Sequence, residues 1–532
     1  MKEVAWNVAK QCAGLPLALG VLGTALRGKK LEVWKTVLNQ LMKSTMALDL
    51  PGVSNKVRKS IELSYNYLES EAAKWLEQLF IPKYEGCLEE LASLRFLTHL
   101  HIWGGAVDSN DSLSQDLGSS RRSWTKLQEF YICLVGSSRC SCSLQPQRRS
   151  LHLTRTKYFP PSLKTLIEKI ESLALEHCEE IEVISSKCDI PLHVFHNLTQ
   201  LEVSNCLNLT SFGDEPLYHL KLMRVKNCPK LARLLPSRVW QSMHQLEELE
   251  VINCKAILQL FPYDHKPMAK TELLPKLENL KLGELPGLES VLQSFQCLPN
   301  LVKLYIIECG LRCGLAYHEI EVAADPFPKL WRLKINGCSE MSQMISSSSP
   351  DALQGMCIFH NLCKLQVAYC PRLTHLFWSK QAKHMQQLKS LQIWGCESLT
   401  ALVTSNDNQE MGASASVSAS ACMVVDHHGS HNFFPRLTQL ILYKLPKISA
   451  FHQPTALPME WPCLEEHFIE RCSKLKETPL LGPQTSERSR ELTLDEARSR
   501  MLKLYLNMEL GLVHSSRSGA LLTFSLRFLF LE

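Results

Sequence analysis

The most restrictive feature of this chain is one spacing of apolar residues that returns along most of its length. It is complete in Phe195-His-Asn-Leu198-Thr-Gln-Leu201-Glu-Val203-Ser-Asn-Cys206-Leu-Asn-Leu209. The same positions recur at Leu246-Leu249-Val251-Cys254-Ile257, Leu301-Leu304-Ile306-Cys309, Leu330-Leu333-Ile335-Cys338-Met341, Leu362-Leu365-Val367-Cys370-Leu373 and Leu388-Leu391-Ile393-Cys396-Leu399. Weaker copies begin at Ile170, Leu220 and Leu464, and two others, Leu277-Leu280-Leu282-Leu285 and Leu437-Leu440-Leu442-Leu445, carry Leu in place of Cys. Two apolar residues one place apart make a short strand whose alternate side chains point inward, while the outer positions fill layers above and below it. One such unit cannot bury its face alone. Units stacked at a period of roughly 22 to 32 residues share a continuous core.

This is the pattern of a leucine-rich repeat. It predicts an α/β chain, a leucine-rich-repeat solenoid with a curved parallel β-sheet exposed on its concave side. The Cys position falls just after the strand, where the chain turns and backbone groups point inward, and a small side chain with a weak donor suits it. Nine of the 21 cysteines take that position, which makes them buried thiols rather than disulfide partners and implies a reducing compartment. The net charge of +5, from 58 basic and 53 acidic residues, is too small at this length to indicate nucleic acid or an anionic membrane as partner. Met1-Lys2-Glu3 leads directly into an amphipathic helix rather than a cleavable apolar leader, and Leu521 to Leu531 is short and broken by Arg527. The expectation is a cytoplasmic protein with no integral membrane segment.

The repeats are expected over residues 81–480, with Ser-, Gly- and polar-rich loop insertions near 108–123, 136–150 and 404–430. Residues 1–80 have helical spacing: Val4, Val8 and Cys12, then Trp34, Val37, Leu38 and Leu41 on one face. Residues 481–532 fit no repeat and form a tail, in which Glu491 to Leu506 has helical character.

Function on such a scaffold falls to the outward strand residues that alternate with the buried ones. They include His99, His101 and Trp103, Glu129 and Tyr131, Arg224 and Lys226, Lys303 and Tyr305, Arg332 and Lys334, Gln392 and Trp394, Gln439 and Tyr443, and Glu466 and Phe468. Aromatic and Arg side chains dominate binding hot spots, so Trp103, Tyr131, Tyr305, Trp394, Tyr443 and Phe468 are the candidate contacts to a protein partner. As exposed residues, Trp394 and Tyr305 would be replaceable by Ala with loss of binding and no loss of unfolding temperature.

Catalytic signals are weak. Asp426-His427-His428-Gly-Ser-His431 lies in a Ser/Ala-rich stretch and reads as a solvated turn, Cys140-Ser-Cys142 lacks a second pair at zinc spacing, and G-x-S-x-G and H-E-x-x-H motifs in a strand-to-helix context are missing. No metal site and no enzymatic activity are expected. Gly23-Thr-Ala-Leu-Arg-Gly28-Lys29-Lys30 satisfies G-x-x-x-x-G-K, but has Lys30 where Ser or Thr should bind magnesium, and it follows a helix; it reads as a helix C-cap glycine with basic neighbours.

Gly14-Leu15-Pro16-Leu17-Ala18-Leu19, preceded by Val8-Ala-Lys-Gln-Cys-Ala13 and followed by Trp34, resembles the GLPL element of the NB-ARC module in plant nucleotide-binding leucine-rich-repeat disease resistance proteins of the coiled-coil type. Val57-Arg-Lys-Ser-Ile-Glu-Leu63-Ser64-Tyr65-Asn-Tyr-Leu68 resembles the L-x-x-S-Y-x-x-L helix that follows it there. The resemblance implies that residues 1–80 are a small helical remnant of an NB-ARC module, that Gly14, Leu15, Pro16 and Leu17 lie at an ADP or ATP site, and that the repeats recognise a pathogen effector or a guarded host protein. The family's phosphate-binding loop belongs upstream of GLPL and its winged-helix domain before the first repeat at Leu94-Leu97-Leu100-Ile102, so a truncated form without cofactor of its own is expected. The competing readings are an ADP/ATP-operated signalling switch, which needs that loop, and a repeat-only substrate receptor or decoy.

Overall fold

The computed structural model describes residues 2–11, 22–23, 26–43, 75–80, 99–104, 127–135, 149–155, 166, 169–184, 196–261, 271–292, 296–318, 325–347, 358–405, 433–453, 461–475 and 489–499. Residues 14–17, 57–68, 108–123, Cys140, Cys142 and 426–431 lie outside them. The chain divides into two compact units, residues 1–181 with 186–198, and residues 182–185 with 199–532.

In the first unit, the amphipathic spacing of residues 1–43 yields the helices Lys2–Gln11 and Leu31–Lys43. They bury Val8, Leu22, Leu26, Val37 and Leu41 against one another, with Trp34 and Leu38 at the margin. Gly28 ends the intervening turn at φ 76°, the left-handed C-cap geometry that a Cβ would strain. Trp75–Phe80, inside the segment expected to be helical, is instead a strand pairing in parallel with His99–Gly104. Arg149–Thr154, which matches no full repeat and begins inside the expected insertion 136–150, pairs with Glu129–Val135 and Ser172–Glu176.

The second unit carries the repeats. Gln200–Ser204, Leu222–Lys226, Glu248–Ile252, Asn279–Gly283, Lys303–Ile307, Arg332–Asn336, Lys364–Ala368, Ser390–Trp394, Gln439–Tyr443 and Glu466–Glu470 pair in parallel, each with the next in the chain. The register sets template residue beside template residue, as in Leu280↔Leu304↔Leu333↔Leu365↔Leu391↔Leu440 and Leu282↔Ile306↔Ile335↔Val367↔Ile393↔Leu442. Each of these is at most 1% exposed. Burying such a side chain contributes about 1.5–3 kcal/mol, so the sheet is held by repetition rather than by one large contact. A spine of rings, Phe327, Phe359, Phe377 and Phe434, runs beside it with centroids 6.1–6.3 Å apart. Three of them stand three residues before the first template Leu, a regularity already visible at Phe195.

Each strand ends the same way. The next residue takes a positive φ, as at Asn205, Asn227, Asn253, Glu284, Glu308, Gly337, Tyr369 and Gly395, and its N–H still donates to the neighbouring strand. Asn tolerates this conformation best, and the first three form a ladder in which Asn227 Nδ2 donates to Asn205 Oδ1 at 2.7 Å and Asn253 Nδ2 to Asn227 Oδ1 at 2.9 Å. The cysteine that follows turns inward. The thiols of Cys206, Cys228, Cys254, Cys309, Cys370, Cys396 and Cys472 donate to the carbonyl two residues earlier at 3.4–3.5 Å, which is the weak-donor role the spacing implied.

Where the Asn ladder gives way to Glu284 and Glu308, carboxylates face each other. Burial first, and Glu308 second, push the Glu284 carboxyl above its ordinary value. A raised folded-state value makes the ionised form a burden above it and irrelevant below the unfolded-state value. Glu284→Gln is therefore expected to raise the unfolding temperature at pH 7.5 and to leave it unchanged near pH 3.5. Thermal melts at the two pH values check this, and an equal shift at both would overturn it.

Candidate partner-binding face

On the sheet of the second unit the outward residues of successive strands fall into rows, because the register is in phase. One row reads Glu248, Asn279, Lys303, Arg332, Lys364, Ser390, Gln439, Glu466, and the next Glu250, Lys281, Tyr305, Lys334, Gln366, Gln392, Ile441, Phe468. Their chemistry changes along the chain.

At the first strands opposite charges are matched. Arg224 meets Glu248 at 3.1 Å and Glu250 at 3.2 Å, Lys226 meets Glu250 at 3.3 Å, and Lys281 meets Glu248 at 3.6 Å. Lys226 and Glu250 are both almost fully buried, where breaking a pair leaves an uncompensated charge.

Further along, a groove of about 340 Å³ opens, lined by Lys281, Lys303, Tyr305, Arg332, Lys334 and Lys364, with Glu248 at its first strand and Gln392 at its last. Tyr305 is half-buried in its floor, in register between Lys281 and Lys334. Trp331 flanks the groove: its ring lies 5.4 Å from the Arg332 guanidinium carbon and 5.1 Å from Lys364 Nζ, and it is 38% exposed. Such cation–π contacts hold long cationic side chains in place. The sequence reading missed Trp331 because it precedes the strand by one residue and falls outside the alternation.

From the last strand of the groove a ladder of amides runs on. Gln392 Nε2 donates to Gln439 Oε1 at 2.8 Å, and Gln439 Nε2 to Glu466 Oε2 at 3.0 Å. Beside it the surface becomes apolar and covered. Trp394, Tyr443 and Phe468 were expected to be exposed contacts, and the structure corrects that: they are 3%, 7% and 4% exposed. They cluster with Ala368 and Ile441 beneath Leu492, Leu494 and Ala497, brought over them as Arg490–Glu491 adds to the sheet edge beside Glu466–Glu470. The Trp394 and Tyr443 rings are 5.1 Å apart and those of Tyr443 and Phe468 6.1 Å. Part of the expected tail is thus a lid on this end of the face. Ala497→Asp, which forces a carboxylate into that cluster, is expected to detach the 489–499 segment and raise binding of an apolar dye, read by fluorescence; unchanged dye binding would sink the lid.

In the first unit, Tyr131 is half-buried and engaged, in register with Ser150. The backbone of Trp103 pairs with Cys133, while its side chain lies outside the described residues. Cys133 Sγ lies 3.3 Å from His152 Nδ1, and His152 Nε2 lies 3.4 Å from Glu176 Oε2. Thiol, imidazole and carboxylate are the residue types of nucleophilic catalysis, but Cys133 is 1% and His152 2% exposed, so the sulfur is held away from any substrate. Among the described residues there is no group of three or more His, Cys, Asp or Glu that could hold a metal, and no helix long and apolar enough to cross a membrane.

Comparison with known proteins shows what these repeats are similar to. The family model for the leucine-rich repeats of RPS2-like plant disease resistance proteins matches residues 208–312 and 356–478, which hold most of the strands just described. Over those residues the repeats are similar to the leucine-rich repeats of plant disease resistance proteins. Among its relatives in Arabidopsis thaliana, disease resistance protein At4g27190 is 26% identical over 326 residues, covering 54% of this chain and 32% of that protein. Disease resistance protein RPS5 is 21% identical over 562 residues, covering 90% of this chain and 57% of the relative. The chain thus spans about a third of the first of these relatives and just over half of the second. A solved leucine-rich-repeat domain, that of the type III effector XopL, aligns over 76% of this chain and 90% of its own at 15% identity, with a TM-score of 0.25. The strand register above carries the description of the fold.

Proposed function

We propose that this chain is the recognition part of a cytoplasmic plant immune receptor, and that its repeats bind a protein, either a pathogen effector or a guarded host protein, to set off a defence response. The observation that carries this reading is the in-register outward face of the second unit, within repeats similar to those of disease resistance proteins: a groove lined chiefly by cations and an aromatic. The role is binding rather than catalysis. The nucleotide belongs to the same proposal at one remove, since ADP or ATP would be held through Gly14, Leu15, Pro16 and Leu17 together with a phosphate-binding loop, and the repeats would report occupancy of their face to that site.

The test is a transfer of specificity. Residues 199–499 would replace the matching repeats of RPS5, and leaf tissue would be challenged with pathogen proteins that do and do not elicit a response in the source plant. Cell death that follows the transplanted repeats supports the reading. A response that stays with the recipient's own elicitors overturns it.

A further inference from the structure

The cations of the outward face are not treated alike. Arg224, Lys226 and Lys281 each lie within 3.6 Å of Glu248 or Glu250. Lys303, Arg332 and Lys364 stand side by side in one row on three adjacent strands, and among the described residues no carboxylate is within ion-pair distance of any of them. Like charges opposed on neighbouring strands disfavour the fold. A short run of such charges between matched neighbours therefore serves something other than the fold.

We propose that this row is the seat of an extended acidic segment of the protein partner, its carboxylates held by Lys303, Arg332 and Lys364 and its backbone lying over Tyr305. The inference rests on the recognition role proposed above and names the chemistry of what is recognised. Three features select this occupant. The row is short: neighbouring strands are about 4.8 Å apart, so Lys303 to Lys364 spans about 10 Å, the length of about three extended residues. It is bounded, since Glu248 precedes it and the Gln392, Gln439 and Glu466 amide and carboxylate ladder follows it. A long polyanion such as a nucleic acid strand would run into those carboxylates at both ends, whereas a short acidic stretch ends before them. The row is also preorganised. The Trp331 ring lies beside both the Arg332 guanidinium and the Lys364 ammonium, and a guanidinium can pair with a carboxylate through two parallel hydrogen bonds. Cations already held in place lose less freedom when a ligand arrives.

The test uses the whole chain and fluorescence anisotropy. The probe is a labelled ten-residue peptide of alternating Glu and Ser, with its Gln-Ser counterpart, a ten-nucleotide thymidine strand and inorganic phosphate as comparisons. The acidic peptide is expected to bind at least tenfold more tightly than the Gln-Ser peptide, and weakening as salt is raised is expected with it. K303E/R332E/K364E is expected to lower that affinity at least tenfold. K303Q/R332Q/K364Q, which introduces no new repulsion and keeps the fold if the reversal does not, should lose most of it as well. K230E/K380E/K474E makes the same change in net charge away from the row and should leave binding within twofold. Equal binding of the two peptides, or binding that survives the row variants, overturns the inference. So does tighter, row-dependent binding of the thymidine strand or of phosphate alone, which would make the groove a general anion site. None of these failures touches the transfer of specificity by residues 199–499, so loss of this inference and loss of the recognition role are separable.

Discussion

Trp394→Ala is expected to destabilise the chain by about 3–5 kcal/mol, the range for removing a buried large aromatic. Trp394 is 3% exposed, packs against Tyr443 at 5.1 Å and lies beneath Leu492 and Ala497. The truncation removes the ring contact and leaves a void between the sheet and its lid. Trp394 Nε1 has no hydrogen-bond partner among the described residues, so Trp394→Phe gives up some packing but no hydrogen bond, and should cost less than about 1.5 kcal/mol. Repeat units contact their neighbours only, and the loss should therefore concentrate in the C-terminal strands. Amide hydrogen exchange resolved along the chain measures this: faster exchange over 390–394, 439–443 and 466–470 is the expected result. An unchanged melt with weakened partner binding would instead return Trp394 to the exposed surface.

Gly314→Ala is expected to cost about 2–4 kcal/mol, from backbone strain and overpacking together. Gly314 has a φ of 71°, and a Cβ built there lies 2.7 Å from the Met344 carbonyl oxygen and 2.8 Å from that of Gln343. Both obstacles are backbone. They belong to the next repeat, where Leu315 N–H donates to Met344 O at 2.8 Å, so the clash cannot be relieved without parting the small parallel pair Ala316–His318 and Ile345–Ser347. Gly23, with open space around its Cβ position, is the control. Gly23→Ala should change the melting temperature little, and similar shifts for the two would show that the clash is absorbed.

The strands and their inward residues were legible because Leu, Val and Ile recur at fixed spacing, and a parallel stack turns that recurrence directly into register. Arg149–Thr154 escaped because only Leu151 and Leu153 match the template amid Ser, Arg and Gln. Trp75–Phe80 escaped because its apolar spacing suits a helix turn as well as a strand; pairing with His99–Gly104 decides between them. On the candidate site, alternation identifies the residues that face outward, including Tyr305 and Arg332, but it carries no information on what lies over them. Trp394, Tyr443 and Phe468 are covered by Leu492, Leu494 and Ala497, from a stretch with no repeat signal. Exposure is a property of distant parts of the chain; facing is local.

The separation between inward and outward rows also sets where this protein is free to vary. A change at Lys303, Tyr305 or Lys364 alters what the face attracts while the Leu304, Ile306 and Leu365 layers beneath keep their packing, so new specificities can be sampled there one residue at a time without refolding the scaffold. At Trp394, Tyr443 and Phe468 the same outward positions have become interior, and an exchange must suit the lid before it can suit a partner. Diversity among close relatives should therefore gather over strands 279–283 to 364–368 and thin out toward 466–470, a gradient written by packing alone.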